Sequence, residues 1–384
     1  MIKKRKILFV TERRADYSRL KPVMKAVQQS KKLELILLVT GMHLLKNFGE
    51  TKNIIEKDGF KINALLPIFS ESDSDDGAAM VKAMGRALVG LPELFAKLKP
   101  DIIFSGFDIG ANFAAAITGM HMNIHVCHIQ GGEVSGTVDE VIRHGLTKFA
   151  HFHFPATRQS AQRIIKLGEN PRYVFPVGSP SLDTIKKIKC LPKEKIFSRY
   201  DLDPSRPLLI LLQHPVTTEV KMAGEQINRS IAAINYANHA WGTQAVAIYS
   251  NNDAGGKSIV RKLQSSGIKF FPHIIYEDFL NLMKYASVLI GNSSSGIHEA
   301  PSFGLPTVNV GTRQQYRERG KNVIDVDYQT EEIIGAIRKS LFDEKFIKKV
   351  RRAVNPYDYG FTAKKIVAVL ENIKLPPIQK VITY

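Results

Sequence analysis

The run from His128 to Lys148, HIQGGEVSGTVDEVIRHGLTK, gathers acids, two histidines, an arginine and two adjacent glycines behind an apolar, strand-like segment. Acids and bases collected where a parallel strand ends are what proton transfer on a bound ligand requires. The run offers Glu133, Asp139, Arg143 and His144 for that work; its plainer reading is a solvated turn leading into a helix cap. A second concentration is IGNSSSGIHEA, Ile290 to Ala300. Backbone N–H groups at a helix start, joined by the hydroxyls of Ser293 and Ser294, would cradle an anion. Glu299, about one turn further on, is placed to accept hydrogen bonds from a ribose diol. The run is neither a Walker loop nor GxGxxG, so nucleoside triphosphatase and dehydrogenase chemistry are not indicated. An ordinary serine N-cap is the alternative.

Three further positions sit at expected strand ends. Arg13 and Arg14 follow the first apolar run, where an arginine suits a diphosphate; capping by Asp16 or Ser18 is the structural alternative. His214 ends the run PLLILLQ and could bind phosphate or move a proton. Asp108 follows IIFSG, with a turn-capping role as its alternative. No paired DxD spacing argues for a magnesium site. The two cysteines, Cys127 and Cys190, exclude a disulfide framework and a thiolate zinc cluster, and they fit a reducing cytoplasm.

These residues must be held by elements, and the chain alternates short apolar runs with helix-period stretches. Expected strands are 7–11, 33–40, 102–106, 124–129, 152–157 and 174–178, then 207–213, 245–250, 269–274, 287–294, 306–311 and 322–326. Helical patterns such as Arg19 to Gln29 and Val81 to Leu98 separate them. Such alternation predicts α/β architecture with parallel sheets covered on both faces. The polar, lysine-rich stretch around Leu182 to Ser205 marks a boundary between two doubly wound halves. Domains over 1–183 and 184–384 follow, with the last helix free to return to the first. Folds of this kind bind ligands outside the carboxyl ends of their strands.

Composition narrows the class. With 44% hydrophobic and 23% charged residues the 384-residue chain reads as globular, and no apolar run reaches the roughly 18 residues of a membrane helix. The basic start MIKKRKILFVTERR is too short in apolar residues for a signal peptide. The net charge of +18 raises nucleic acid as a partner, but the basic residues are dispersed and no nucleic-acid-binding motif accompanies them. A positive surface around a site for a small anion accounts for the charge equally well.

The stretches RRADYSRLKPVM, ALVGLPELFAKLKPDI, GGEVSGTVDEVIRHGLTKFAHFH, LLQHPVTTEV, NNDAGGKSIVRKL, IGNSSSGIHEA and FGLPTVNVGTRQQYRERG run in order from Arg13 to Gly320. Through them the chain resembles the hydrolysing UDP-N-acetylglucosamine 2-epimerases of sialic and legionaminic acid synthesis. The resemblance implies a GT-B architecture with substrate between two Rossmann-like domains, and a homodimer or homotetramer. It implies proton abstraction at C2, loss of UDP from C1, a 2-acetamidoglucal intermediate and water addition, with no cofactor and no metal. It casts Asp108 and Asp139 as active-site acids, and His214 as the histidine near the diphosphate. Arg14 and Ser18 become nucleotide contacts of the first domain, and Asn251, Lys257, Ser293, Ser294, Glu299 and Arg313 those of the second. Arg143 and His144 are expected near the sugar or the acids.

The chain departs from the family pattern at three places. Ile109 replaces an arginine, Ala111 an acid, and Gln130 a catalytic glutamate. An amide cannot act as a carboxylate base, which leaves Glu133, or Asp108 and Asp139 together, to take that role; a UDP-sugar-binding protein without catalysis is the rival reading. Loss of these charges also suits a less polar ring. UDP-N,N′-diacetylbacillosamine thereby stands close behind UDP-N-acetylglucosamine as the expected substrate.

Overall fold

The computed structural model describes residues 3–107, 110–250 and 253–383. The chain forms two compact units: Met1–Glu133, Val138–Asp183 and Tyr357–Tyr384 make the first, Val134–Thr137 and Thr184–Pro356 the second. The expected boundary near 183 coincides with the end of the first unit's main segment, and residues 357–384 return to that unit, the alternative left open for the last helix.

The first unit is built on β1 (Arg5–Thr11), β2 (Leu33–Thr40), β3 (Ala64–Leu66), β4 (Ile102–Gly106), β5 (His125–Ile129) and β6 (Phe152–Phe154). These form one parallel sheet in the order β3-β2-β1-β4-β5-β6. Its helices are α1 (Arg14–Gln29), α2 (Lys52–Lys57), α3 (Gly77–Leu98), α4 (Gly110–His121), α5 (Asp139–Phe149) and α6 (Arg158–Lys166), with α15, given below, from the chain's far end; α7 (Ser181–Lys187) carries the chain across the boundary at Asp183. Strand β4 is buried along its whole length, as a continuous apolar run covered on both faces must be.

The second unit holds α8 (Lys193–Arg199), β7 (Leu208–Leu212), α9 (Ala223–Trp241), β8 (Gln244–Ile248), α10 (Gly256–Gln264), β9 (Lys269–Phe271), α11 (Tyr276–Tyr285), β10 (Val288–Gly291), α12 (Ser295–His298), β11 (Thr307–Val310), β12 (Val323–Val326), α13 (Thr330–Phe342) and α14 (Glu344–Arg351). Its strands pair in parallel as β12-β11-β10-β7-β8-β9. The chain then returns to the first unit as α15 (Thr362–Asn372), whose Ile366 and Leu370 pack in one core with Val23, Met24 and Val27 of α1.

One expected strand is absent and an unexpected one takes its place. VFPVG, 174–178, makes one isolated bridge, His153 to Val174, and no strand. Pro176 has no N–H to continue a ladder. The sixth strand is instead β3, at three residues too short to show a period. In each sheet the order reverses once, between β1 and β4 and between β7 and β10. Ligands of open parallel sheets lodge outside the carboxyl ends at such reversals, and the residues just beyond β1, β4, β7 and β10 are those the sequence singled out.

Candidate functional site

In the first unit, β5 runs into Gln130 and the glycine pair. Gln130 is buried and left-handed, at φ +56°, and its N–H donates to Phe154 O. Neither glycine tolerates a side chain: a Cβ on Gly131 would meet His128 Nδ1 at 2.6 Å, one on Gly132 would meet Ser160 O at 2.2 Å. This tight turn folds Glu133 back so that Gln130 Nε2 donates to Glu133 Oε1 at 3.2 Å, both side chains being buried. Arg143, 3% exposed, reaches across from α5; its Nη1 donates to Glu133 O at 3.0 Å and lies 3.4 Å from Glu140 Oε2. His144 Nε2 meets the other oxygen of Glu140 at 3.0 Å. Asp139 opens α5 one residue before Glu140, where the helix dipole favours an ionised acid. Glu133, Arg143 and His144 are thus brought into one hydrogen-bonded cluster with Gln130 and Glu140, and Asp139 heads the same helix.

Arg14 and Ser18 lie on the first turns of α1. Burial pushes the Arg14 guanidinium down to about 10, so it stays charged at neutral pH. The Ser18 hydroxyl donates to Arg14 O at 2.7 Å. The capping alternative is realised by Asp16, whose carboxylate accepts from the backbone N–H groups of Glu12, Arg13 and Tyr17 and from the Thr11 hydroxyl. Asp108 lies outside the described residues.

In the second unit, the ends of β7 and β10 are stitched together. His214 N–H donates to Asn292 Oδ1 at 2.7 Å and Asn292 Nδ2 donates back to His214 O at 2.9 Å. Gly291 permits this: its φ is +121°, and a Cβ there would stand 2.3 Å from Leu212 O. Arg313 Nη1 donates to Asn292 O at 3.2 Å, Gln314 Nε2 to the same oxygen at 2.9 Å, and Ser295 N–H to Ser293 Oγ at 3.2 Å. His214, Ser293 and Arg313 are therefore grouped around Asn292. Ser294 stands at the N-cap position of α12 without a side-chain capping bond, and the buried Glu299 ends the helix, with Tyr276 OH donating to Glu299 Oε1 at 3.5 Å. Lys257 is exposed on the first turn of α10, behind a different strand. Asn251 lies outside the described residues. Gly136 N–H donates to Arg313 O at 3.1 Å, so GGEVSGT also supplies a backbone anchor for that arginine.

The arrangement is suited to two kinds of work: acid–base chemistry in the first unit, anion binding in the second. Among the described residues no group of histidine, cysteine or acidic side chains forms a metal site. Glu12, Asn292 and Glu140 were not anticipated. Asn292 carried a signal, standing directly behind a strand-ending glycine; Glu12 did too, as a lone acid one residue past β1.

The sequence profile of the UDP-N-acetylglucosamine 2-epimerase family matches residues 25–371. The chain belongs to this family. It is 38% identical over 375 residues, 97% of each chain, to the UDP-N,N′-diacetylbacillosamine 2-epimerase (hydrolyzing) of Legionella pneumophila subsp. pneumophila. It is 35% identical over 345 residues, 89% of each chain, to the UDP-N-acetylglucosamine 2-epimerase of Neisseria meningitidis serogroup B. Among solved structures, UDP-GlcNAc 2-epimerase from Neisseria meningitidis bound to UDP-GlcNAc superposes with a TM-score of 0.82 at 20% identity, covering 95% of this chain and 99% of that one. That likeness establishes the two Rossmann-like units of the GT-B class. Membership of the family makes the chain an enzyme of the UDP-sugar 2-epimerase type.

Proposed function

We propose that the protein is a hydrolysing 2-epimerase of a UDP-2-acetamido sugar. A base removes the weakly acidic C2 proton, UDP leaves from C1 with the C1–O electron pair, and a 2-acetamidoglucal forms. Water then adds, its hydroxyl to C1 and a proton to the opposite face of C2, releasing the free 2-epimer. No oxidation state changes overall, so no nicotinamide is consumed. The observation that carries this reading is the division of labour at the strand ends: acid–base residues beyond one sheet, anion-binding residues beyond the other.

In the roles we assign, Asp108 and Asp139 are the active-site acids and Glu133 is the candidate base in place of the family glutamate. Arg143 fixes the Glu133 turn through its carbonyl and lends positive potential. His214, Ser293, Ser294 and Arg313 take the diphosphate, which suits charge-assisted donors and a helix start. Glu299 accepts from the ribose; Arg14, Ser18, Asn251 and Lys257 make the remaining nucleotide contacts.

Two considerations favour UDP-N,N′-diacetylbacillosamine as the sugar nucleotide: the uncharged Ile109, Ala111 and Gln130, where the family pattern the chain resembles has charged residues, and the Legionella relative that carries this substrate in its name. UDP-N-acetylglucosamine is the second reading, favoured by the Neisseria relative. The same reading carries a cytoplasmic homodimer or homotetramer serving sialic or legionaminic acid synthesis. Incubation with each nucleotide in deuterated water tests it, following UDP release and label at C2. UDP release with deuterium at C2 is expected, with higher kcat/KM for the true substrate; no UDP from either substrate rejects the proposal.

A further inference from the structure

The single tryptophan of the chain, Trp241, ends α9 at a surface that the chemistry above does not use. Its ring packs edge-on with Tyr236, centroids 5.6 Å apart, and with Phe342, 5.7 Å apart. Tyr236 is 50% exposed and Phe342 57%. Folding therefore leaves two large aromatic side chains half in water around a third that is partly buried. Scattered exposed apolar residues need no explanation, but contiguous ones with a polar rim mark an interaction site.

The rim here is basic. Phe342 is the last residue of α13, and Arg338 and Lys339, one turn before it, are exposed. Lys339 Nζ stands 5.6 Å above the ring of Phe346, which ties it to α14. That helix buries Phe346 and Val350 and turns Lys345, Lys348, Lys349 and Arg351 outward, with Arg352 exposed behind them. The segment RKSLFDEKFIKKVRR, 338–352, holds seven basic residues against Asp343 and Glu344. Asp343 is engaged in capping α14, accepting the Phe346 N–H at 2.9 Å, and Glu344 pairs with Lys348 at 3.3 Å. Val354, 85% exposed, stands just beyond the last arginine.

The position of this face follows from the topology. Helices α9 and α13 leave the carboxyl ends of β7 and β12 and run back along the sheet, and Trp241 stands three residues before β8 begins. Trp241 and Phe342 therefore lie at the amino edge of the second sheet. His214, Ser293 and Arg313 lie beyond its carboxyl ends.

We infer that this face docks the protein on an anionic lipid surface. Tryptophan and tyrosine settle at the level of lipid headgroups, and clustered lysines and arginines are drawn to acidic ones. No helix among the described residues is long and apolar enough to cross a membrane, so the contact is adsorption. It leaves the strand ends that carry the diphosphate-binding residues outside the contact, and it is independent of which sugar the enzyme acts on. A nucleic acid would need aromatic faces free for base stacking, whereas these rings pack edge to face with one another. A second copy joined through a twofold axis would set the same cations against each other.

In the test the full chain is mixed with vesicles of equal parts phosphatidylcholine and phosphatidylglycerol, or of phosphatidylcholine alone, and sedimented at low and high salt. Trp241 emission is recorded with the same vesicles carrying brominated acyl chains, and a lone tryptophan makes that signal specific to the face. Expected are binding to the anionic vesicles only, its loss at high salt, and a blue-shifted, quenched Trp241. Each basic residue at an anionic surface is worth about fivefold in binding. The triple variant Lys345→Glu, Lys348→Glu, Lys349→Glu should therefore bind about a hundredfold or more weakly, with kcat and UDP affinity of the free enzyme unchanged. Docking is overturned if both vesicle types bind alike or neither binds, if the triple variant binds as the parent does, or if vesicles bind with Trp241 emission unchanged. Capture of single-stranded RNA in place of vesicles overturns it too, as does an oligomer of the parent chain that the triple variant splits. The salt and emission measurements use the unmodified chain, so they decide the matter even if the triple variant fails to fold.

Discussion

Gln130 decides much of the chemistry of the first unit. Its amide donates to Glu133 Oε1 at 3.2 Å, occupying one lone pair of the carboxyl group proposed as base. In Gln130→Glu two buried carboxylates would share that space, and both cannot ionise. The acidic limb of the kcat–pH profile should then move to higher pH and turnover at neutral pH should fall; an unmoved profile would show that Glu133 is not the base. Asp139→Asn should abolish turnover while UDP binding, measured by calorimetry, survives. His214→Ala should weaken UDP by the worth of a charge-assisted hydrogen bond, about 1.5–3 kcal/mol, or roughly tenfold or more in Kd; unchanged affinity would remove His214 from the diphosphate. At this scale residue type and strand-end position were what the sequence offered, and the fold gathers several of the residues so chosen, Arg143 beside Glu133 and His214 and Arg313 on Asn292. The sequence was silent on Glu12, whose carboxylate accepts the Ala111 N–H, and underweighted Asn292, because their partners stand 99 and 78 residues away, and no local pattern shows which backbone groups a fold will bring to an acid or an amide.

The strand ends hold their side chains because the elements behind them are tightly specified. Gly291→Ala would combine a φ of +121° with a Cβ 2.3 Å from Leu212 O. Strain and overpacking of that kind cost about 1–3 kcal/mol each, so a fall of several degrees in Tm and weaker UDP binding are expected together. Helix α5 is fixed at its other end: Lys380 Nζ donates to the carbonyls of Thr147, Lys148 and Ala150 and pairs with Glu169 at 2.7 Å. Burial alone would raise the Glu169 carboxyl, but His153, Lys148 and Lys380 outweigh it and hold it at about 2. Nearby His151 is pushed by burial down to about 4; its Nδ1 accepts from Val126 N–H and its Nε2 meets Ile378 O at 3.0 Å. The unfolded chain takes up that proton first, from about pH 6.5. His151 therefore stabilises fully above about pH 6.5 and loses its contribution, on the order of 2 kcal/mol, as pH falls toward 4. Urea unfolding between pH 7 and 4.5 should show the decline, and its absence in His151→Phe would assign it. Most elements were legible from alternation of apolar runs; β3 was too short to show a period, and 174–178 mimicked a strand because Pro176 hides only in the hydrogen bonding.

Each unit owns its core. Ile366 of α15 is fully buried against α1 and the first sheet, so Ile366→Ala should destabilise the first unit by about 2–5 kcal/mol. Hydrogen exchange should then accelerate in β1, β2 and α1 while β7 and β10 keep their protection; equal acceleration in both would contradict the independence of the units. The sequence predicted two doubly wound halves from their repeating pattern, and left open where the last helix lies, since an amphipathic helix does not say which sheet it covers. The answer has a consequence for biosynthesis. A ribosome must make the entire second unit before the residues that complete the first emerge, roughly ten to thirty seconds at ordinary elongation rates. Throughout that interval the apolar face of α1 awaits its cover, and the downstream half of the polypeptide becomes competent to mature before the upstream half.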